Sequence, residues 1–323
     1  MTVDAQTGRD FQGRGSKIMA QKPLKLIYIA GWGRSGSTLL ARILAQSPTI
    51  SHLGELRTIW VDGFKPHSRC GCGQLVSDCE VWQSIFQTGF TSLTTENVKT
   101  WNALRLRIEP RSQELLRLFL PGQSLPLTDH ATLEYLQLLH RLYHSIQTVF
   151  GTDVIVDDSL HPGYAYLLNQ VAGVELYIIH LIRDSRGCGY SWSKRRKQGL
   201  GYYTTRQSAV GWMLRNLSIE SLQYDPKIKF MKVRYEDFVT QPQEAMLNIL
   251  KFIDLPHLQL PFTSTDSLDL EMSHSIFGND NRLQTGNTRL KLDEVWREKM
   301  DWKDRLLTTV ITAPLLLKYR YQL

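Results

Sequence analysis

Apolar residues in this chain fall into two alternating kinds of run. Leu26–Ala30 (LIYIA) is a continuous block of β-prone residues, and Val154–Val156, Leu176–Ile182 and Phe230–Val233 read in nearly the same way. Unbroken apolar runs of this length suit strands buried on both faces. Each is followed by a helix-like segment. Ser37–Gln46 places Leu39, Leu40, Ile43 and Leu44 at helical spacing, and Ala131–Phe150 aligns Leu133, Leu136, Leu139, Leu142 and Ile146 on one face. Thr204–Gln223 and Gln243–Ile253 show the same pattern. Strands buried on both sides and alternating with helices predict an α/β fold, a parallel β-sheet flanked by helices. Ile50–Leu53 adds a short strand, while Lys65–Pro126 shows only mixed helical fragments. The expected organisation is a single domain over 23–323, with a helical insertion at about 65–126 lying over the sheet. The polar, glycine-bearing residues 1–22 are expected to be a flexible tail. They lack the apolar core of a secretion signal, so the expected location is cytoplasmic.

Composition narrows the classes. Hydrophobic residues make up 42% and charged residues 21%, which excludes a disordered chain, and no repeat of 20 to 50 residues marks a solenoid. The longest apolar stretch, Leu306–Leu317, is interrupted by threonines and Pro314 and is too short to span a membrane. Thirty-eight Lys and Arg against 31 Asp and Glu leave +7, which favours an anionic ligand. Arg186 and the run Lys194–Lys197 read as a solvated helix face, too short and too poor in aromatics to imply nucleic acid.

Ligands of such sheets bind at the carboxyl ends of the strands, which directs attention to the loop after the first strand. That loop, Gly31-Trp-Gly-Arg-Ser-Gly-Ser-Thr38, precedes a helix, so its backbone N–H groups and the helix N-terminus form an anion site. Against the nucleotide-binding pattern G-x-x-x-x-G-K-[ST], Gly31, Gly36 and Thr38 match, but Ser37 stands where the lysine belongs. A plain kinase or NTPase is disfavoured, and the cationic charge sits at Arg34 instead. Arg183 ends the apolar run Leu176–Ile182, and Ser191 follows on the next helix, a pair suited to a second anion. The competing role for Arg183 is an ion pair with Asp184 or Asp158.

These segments together resemble sulfotransferases that use 3′-phosphoadenosine 5′-phosphosulfate (PAPS). Arg34–Thr38 (RSGST) is similar to the family's 5′-phosphosulfate loop, which implies cofactor-binding roles for Gly33, Arg34, Ser35, Gly36, Ser37 and Thr38. Arg183 and Ser191 resemble the 3′-phosphate segment, Arg234–Phe238 (RYEDF) the family's Y-E-D strand end, and His274–Arg282 with Trp296 the C-terminal cofactor-covering loop, implying roles for Gly278, Asn279 and Arg282. Gly54-Glu55 is similar to the glutamate that serves as base in the tyrosylprotein and carbohydrate branches. The resemblance covers about residues 24–320. It implies the P-loop-like nucleotide-binding sulfotransferase fold, PAPS as co-substrate, adenosine 3′,5′-bisphosphate as product, a small-molecule acceptor bearing a hydroxyl or amine, and no metal in the reaction. Glu55 and Arg34 are the expected catalytic residues, and a homodimer is left open. A non-catalytic polyanion-binding module is the other competing reading, resting on charge alone.

Glu55 has competitors. His52, His161 and His274 are rival bases, and an ion pair with Arg57 would make Glu55 merely structural. Relatives often carry a lysine beside a serine at the position of Ser159, and none adjoins it here. Three readings of that gap stay open: Arg34 bears the load alone, a distant cation substitutes, or the acidic pair Asp157 and Asp158 at that strand end faces a cationic acceptor instead. His67, Cys70, Cys72 and Cys79 offer enough donors for a tetrahedral zinc site, but their spacing lacks a C-x2-C pair, so reduced thiols or one local disulfide are expected. Cys188 is expected to pack inside a helix interface. Lys65–Pro126 and Gly199–Arg206 are the expected walls of the acceptor pocket.

Overall fold

The computed structural model describes residues 23–120, 122–198 and 203–323. The expected tail and the part of the pocket wall from Gly199 to Tyr202 lie outside them. Five parallel strands form the central sheet in the order β2-β3-β1-β4-β5, with β1 Leu24–Gly31, β2 Ile50–His52, β3 Val154–Leu160, β4 Val174–Ile182 and β5 Lys229–Arg234. A separate antiparallel pair consists of β6 Ser267–Leu270 and β7 Gly286–Arg289. The helices are α1 Ser37–Leu44, α2 Glu80–Gly89, α3 Thr95–Ile108, α4 Ser112–Leu115, α5 His130–Phe150, α6 Pro162–Leu168, α7 Ser185–Lys197, α8 Thr205–Ser221, α9 Tyr235–Thr240, α10 Pro242–Phe252, α11 Trp296–Lys299 and α12 Trp302–Lys318.

β1 shows why continuous apolar runs were required. Leu26, Tyr28 and Ala30 face a core shared with α2, α5 and α6, whereas Ile27 and Ile29 face one shared with α1 and α10. A strand whose alternate residues enter two different cores has no polar face. The expected strands are therefore found, the four longer ones extended by two to four residues and the short one ending at His52, one residue before Leu53. Between β2 and α5, α2 packs mainly against α5, and α3 packs against α5 and the turn at Ile59–Gly63, forming a second layer beyond the helix that covers the sheet. Trp82 and Ile85 of α2 join Leu138, Leu139 and Leu142 of α5 in that core.

Register places the chemistry. Gly31 at the end of β1 lies opposite Leu181 of β4, and Ile182 lies opposite Arg234 of β5. The loop after β1, Arg183 and Tyr235 thus emerge at one edge of the sheet, where ligands of parallel sheets bind.

Candidate active site

The loop is held in shape by contacts from both neighbouring strand ends. Arg34 adopts a left-handed backbone, φ +76°, which a residue with a Cβ keeps only when its surroundings impose it. Arg183 donates from Nη1 to the Arg34 carbonyl at 3.0 Å, and Arg34 donates from Nε to Ser191 Oγ at 3.0 Å. Gly36, φ +91°, caps α1 with no side-chain hydrogen bond, and a Cβ there would sit 2.8 Å from the Tyr235 ring. Ser35, Ser37 and Thr38 are buried around it, and Gly33 lies against the Trp192 ring. Uncapped helix N–H groups facing a glycine cradle suit a phosphate or sulfate group. Arg183 also stacks on Tyr235, 4.4 Å to the ring centre, and donates from Nη2 to the backbone and carboxylate oxygens of Asp293, both at 3.0 Å. Its ion-pair partner is neither Asp184 nor Asp158.

Glu55 reaches the same edge from the far side of β3. Its N–H donates to the Ile276 carbonyl at 3.2 Å, and Ile276 N–H donates to Leu53 at 2.8 Å, so the segment after β6 pairs alongside it. Two residues later Gly278 comes so close that a Cβ on it would lie 3.0 Å from Thr38 Oγ1 and 3.6 Å from Glu55 Oε1. Asn279 N–H points at Thr38 Oγ1, 3.5 Å away. Three stretches far apart in the chain thereby meet. Burial first, then the charges of Asp158 and Asp157, push the Glu55 carboxyl up to about 8.

Arg57 is not the partner of Glu55. It donates from Nε to both carboxylate oxygens of Glu109 at 2.9 Å, and Arg105 donates to Glu109 Oε2 at 3.0 Å. His161 Nδ1 also contacts Glu109. Burial opposes ionisation of Glu109, but the bonds from His161 and Arg57 prevail and hold it at about 2. Burial pushes His161 down to about 4 despite that contact, leaving it neutral. These residues line a cleft of about 320 Å³ beside the loop, with Trp32, Arg111 and Arg215 among its other walls. The Arg215 guanidinium lies 5.9 Å from the Trp32 ring centre. Four arginines against one glutamate make the cleft positive.

Several expectations are corrected. Asp157 and Asp158 do not face an acceptor; they are buried, Asp157 accepting from Tyr143 Oη at 2.5 Å, from Ser159 N–H at 2.8 Å and from the Ser159 hydroxyl, and Asp158 pairing with His52 Nε2 at 3.0 Å. His52 is therefore tied into the core. Arg186 is not solvated: it is 3% exposed, paired with Asp184 and stacked on Trp296, whereas Lys194, Arg196 and Lys197 are exposed as expected. Arg282 donates to the carbonyls of Ser275 and Arg69, each at 3.0 Å. His67 is exposed, and the histidine beside Cys70, Cys72 and Cys79 is His274. Cys188 is buried beside Trp32 and Ile182, as expected.

Sequence reasoning missed Arg42, which is 2% exposed in α1 and donates to the carbonyls of Glu271, Asn281 and Gln284, fixing the loop that carries Gly278. A lone arginine among the apolar residues of α1 was the only signal. Glu109, Arg215 and Asp293 carried none, because nothing local distinguishes them from surface charges.

No curated protein matches the chain. Solved structures of similar shape include the sulfotransferase domain from the Synechococcus PCC 7002 olefin synthase, at 18% identity and TM-score 0.50 over 94% of this chain and 96% of that one. The sulfotransferase domain from the curacin biosynthetic pathway aligns at 18% identity and TM-score 0.46 over 92% and 98%, and sulfotransferase STF9 from Mycobacterium avium at 15% and 0.47 over 94% and 79%. Among the described residues no helix is long and apolar enough to cross a membrane. Residues 25–305 match the family model of the sulfotransferase domain, and with the loop, the parallel sheet and the first of these neighbours in agreement, the chain belongs to the sulfotransferase family.

Proposed function

We propose that the protein transfers the sulfonate of PAPS to a hydroxyl or amine of a small acceptor seated in the Arg57–Arg215 cleft, within the single domain expected from the sequence. The observation that carries this reading is the meeting of Thr38, Glu55 and Gly278, which sets a carboxyl with a value near neutrality beside the anion loop. Bound PAPS supplies the sulfonate and leaves as adenosine 3′,5′-bisphosphate.

The chain's own residues do the rest. The N–H groups at the start of α1 and the Arg34 side chain hold the phosphate oxygen that gains charge as its bond to sulfur breaks. Ser191 orients Arg34 through their hydrogen bond. Arg183, at the same edge, serves the 3′-phosphate, with Asp293 occupying part of its fork until the nucleotide arrives. Gly278 and Asn279 cover the loop. Glu55, once ionised, takes the proton of the attacking hydroxyl, a role for which a value near the working pH is suited. The positive cleft favours an acceptor that also carries an anionic group, and Arg57 and Arg215 supply the cationic charge that no lysine beside Ser159 provides.

The test is single-turnover transfer from labelled PAPS by wild type and Glu55→Gln. The variant keeps the shape of the protonated side chain, so it should bind the nucleotide normally and lose ~10² to 10⁴ in turnover. A variant retaining more than roughly a tenth of the wild-type rate would remove Glu55 from the role of base.

A further inference from the structure

Four donors outside this site converge from two ends of the chain. Cys70, Cys72 and Cys79 belong to the stretch that leads into α2, and His274 lies 204 residues after Cys70, in the connection between β6 and β7. Their ligand atoms all lie within 4.8 Å of one another. His274 Nδ1 is 3.3 Å from Cys79 Sγ and 3.7 Å from Cys70 Sγ, and Cys72 Sγ is 3.8 Å from Cys79 Sγ. A tetrahedral zinc ion with Zn–S of ~2.3 Å and Zn–N of ~2.0 Å requires S···S edges of about 3.8 Å and S···N edges of about 3.5 Å. The three separations above lie within about 0.2 Å of those edges, and the other donor pairs lie within 4.8 Å, close enough for one ion to draw them in. A disulfide needs sulfurs ~2.05 Å apart, and all the cysteines are free.

The backbone around the donors is built to present them. Cys70 and Cys72 sit on a tight hairpin closed by Cys70 N–H to Gln74 at 2.9 Å and Gly73 N–H to Cys70 at 2.9 Å. Gly71 between them packs so closely on the His274 segment that a Cβ would fall 2.3 Å from the Ser273 carbonyl, and its N–H donates to Ser275 at 2.8 Å. Trp82 Nε1 donates to the His274 carbonyl at 3.0 Å. Arg282 closes the arrangement by donating to Ser275 and to Arg69, the residue before Cys70.

We propose that Cys70, Cys72, Cys79 and His274 bind one zinc ion, forming a structural site that ties the connection carrying Gly278 and Asn279 to the helical insertion. Four protein donors leave no open position for a substrate, which distinguishes a structural site from a catalytic one, and three thiolates with an imidazole suit zinc. The tie acts close to the chemistry. His274 precedes by two residues Ile276, which pairs with Leu53 and Glu55, and precedes Gly278 by four. The metal thereby sets how the segment 273–279 lies across Glu55 and Thr38. The site stands whether or not the donor is PAPS.

The experiment is elemental analysis of the full chain, expressed with added zinc and freed of any histidine tag, for wild type, Cys72→Ser and His274→Gln. Hydrogen exchange of residues 271–284 is followed in the same wild-type sample before chelation, after it, and after zinc is restored. The expected results are about one zinc per wild-type chain and roughly a tenth of that or less in both variants. Exchange across 271–284 should become faster on chelation and recover with zinc. The chelation series keeps the test decisive if a variant fails to fold. Three native thiols that titrate freely without zinc, a disulfide among them, an iron–sulfur absorbance, or zinc retained by both variants would each overturn the site. Exchange unmoved by zinc removal would overturn the tie.

Discussion

The anion loop and the cleft in front of it are built in opposite ways. Gly31–Thr38 is one uninterrupted stretch between a strand and a helix, and what it offers a ligand is chiefly backbone: N–H groups and a helix end. The cleft takes Trp32 from that loop, Arg57 from the turn after β2, Arg105 and Glu109 from the end of α3, His161 from the turn after β3 and Arg215 from α8. What it offers is side-chain charge, held in place by one carboxylate that three partners share. A backbone site accepts the same anion in every protein that builds it. A side-chain site is free to change with the acceptor.

The largest effects should come where the two regions meet. Glu55 ionises at about 8, so wild-type turnover on an alcohol should rise with pH, about tenfold per unit well below that value, and level off above it. Glu55→Gln should lower the rate ~10² to 10⁴ and abolish the rise. Stability should move the other way. The folded chain holds this proton more tightly than an ordinary carboxyl near ~4.3, so its contribution is complete below that value and is lost as pH rises towards about 8. Thermal melts of wild type should therefore weaken between those values more than melts of Glu55→Gln. A variant whose rate still climbs towards pH 8 would assign the proton to another group.

Arg34→Ala separates the regions from the loop side. Removing a donor to the developing oxyanion should lower the chemical step by ~10² to 10³, with the acceptor KM little changed. Arg215→Met separates them from the cleft side. It keeps the stem beside Trp32 and removes a half-buried charge from the cleft wall, so the KM of an anionic acceptor should rise by about tenfold or more while bisphosphate affinity holds. Steady-state kinetics beside nucleotide titration reads both. If Arg215→Met weakened nucleotide binding as much as acceptor binding, the division into two regions would fail.

The smallest effect tests Arg183. If Asp293 stands in for a phosphate, Asp293→Asn should tighten bisphosphate binding by a few-fold, because the guanidinium is released towards the ligand. If the pair is scaffold alone, affinity should stay the same and the melting temperature should fall.

Legibility followed the same division. Strands buried on both faces announce themselves as unbroken apolar runs; Arg34 and Arg183 lie within four residues of such runs and Ser191 on the helix that follows one, so counting along the chain located them. Glu55 followed from its place after the shortest strand. The Glu109 network could not be read, because Arg57 and His161 each lie 52 positions from Glu109, Arg105 four positions away reads as an ordinary helix pair, and each alone resembles a surface charge. The buried Asp157 and Asp158 were misjudged for a related reason: a strand end places a side chain in register, but the partner that receives it, Tyr143 or His52, belongs to another element. His67 was the nearer histidine in sequence, and His274 is the nearer in space because the loop after β6 returns across Leu53–Glu55.

The central claim is that the sheet edge reads a nucleotide with phosphates at both the 5′ and the 3′ position. Calorimetric titration of adenosine 3′,5′-bisphosphate and of ATP into the wild-type chain, with melting curves at matched ligand excess, tests it most directly. The bisphosphate should bind one per chain and, at a hundredfold excess over its Kd, stabilise the fold by ~2.7 kcal/mol, while ATP at the same concentration should add much less. Equal melting shifts for the two ligands, or none for the bisphosphate, would contradict the account.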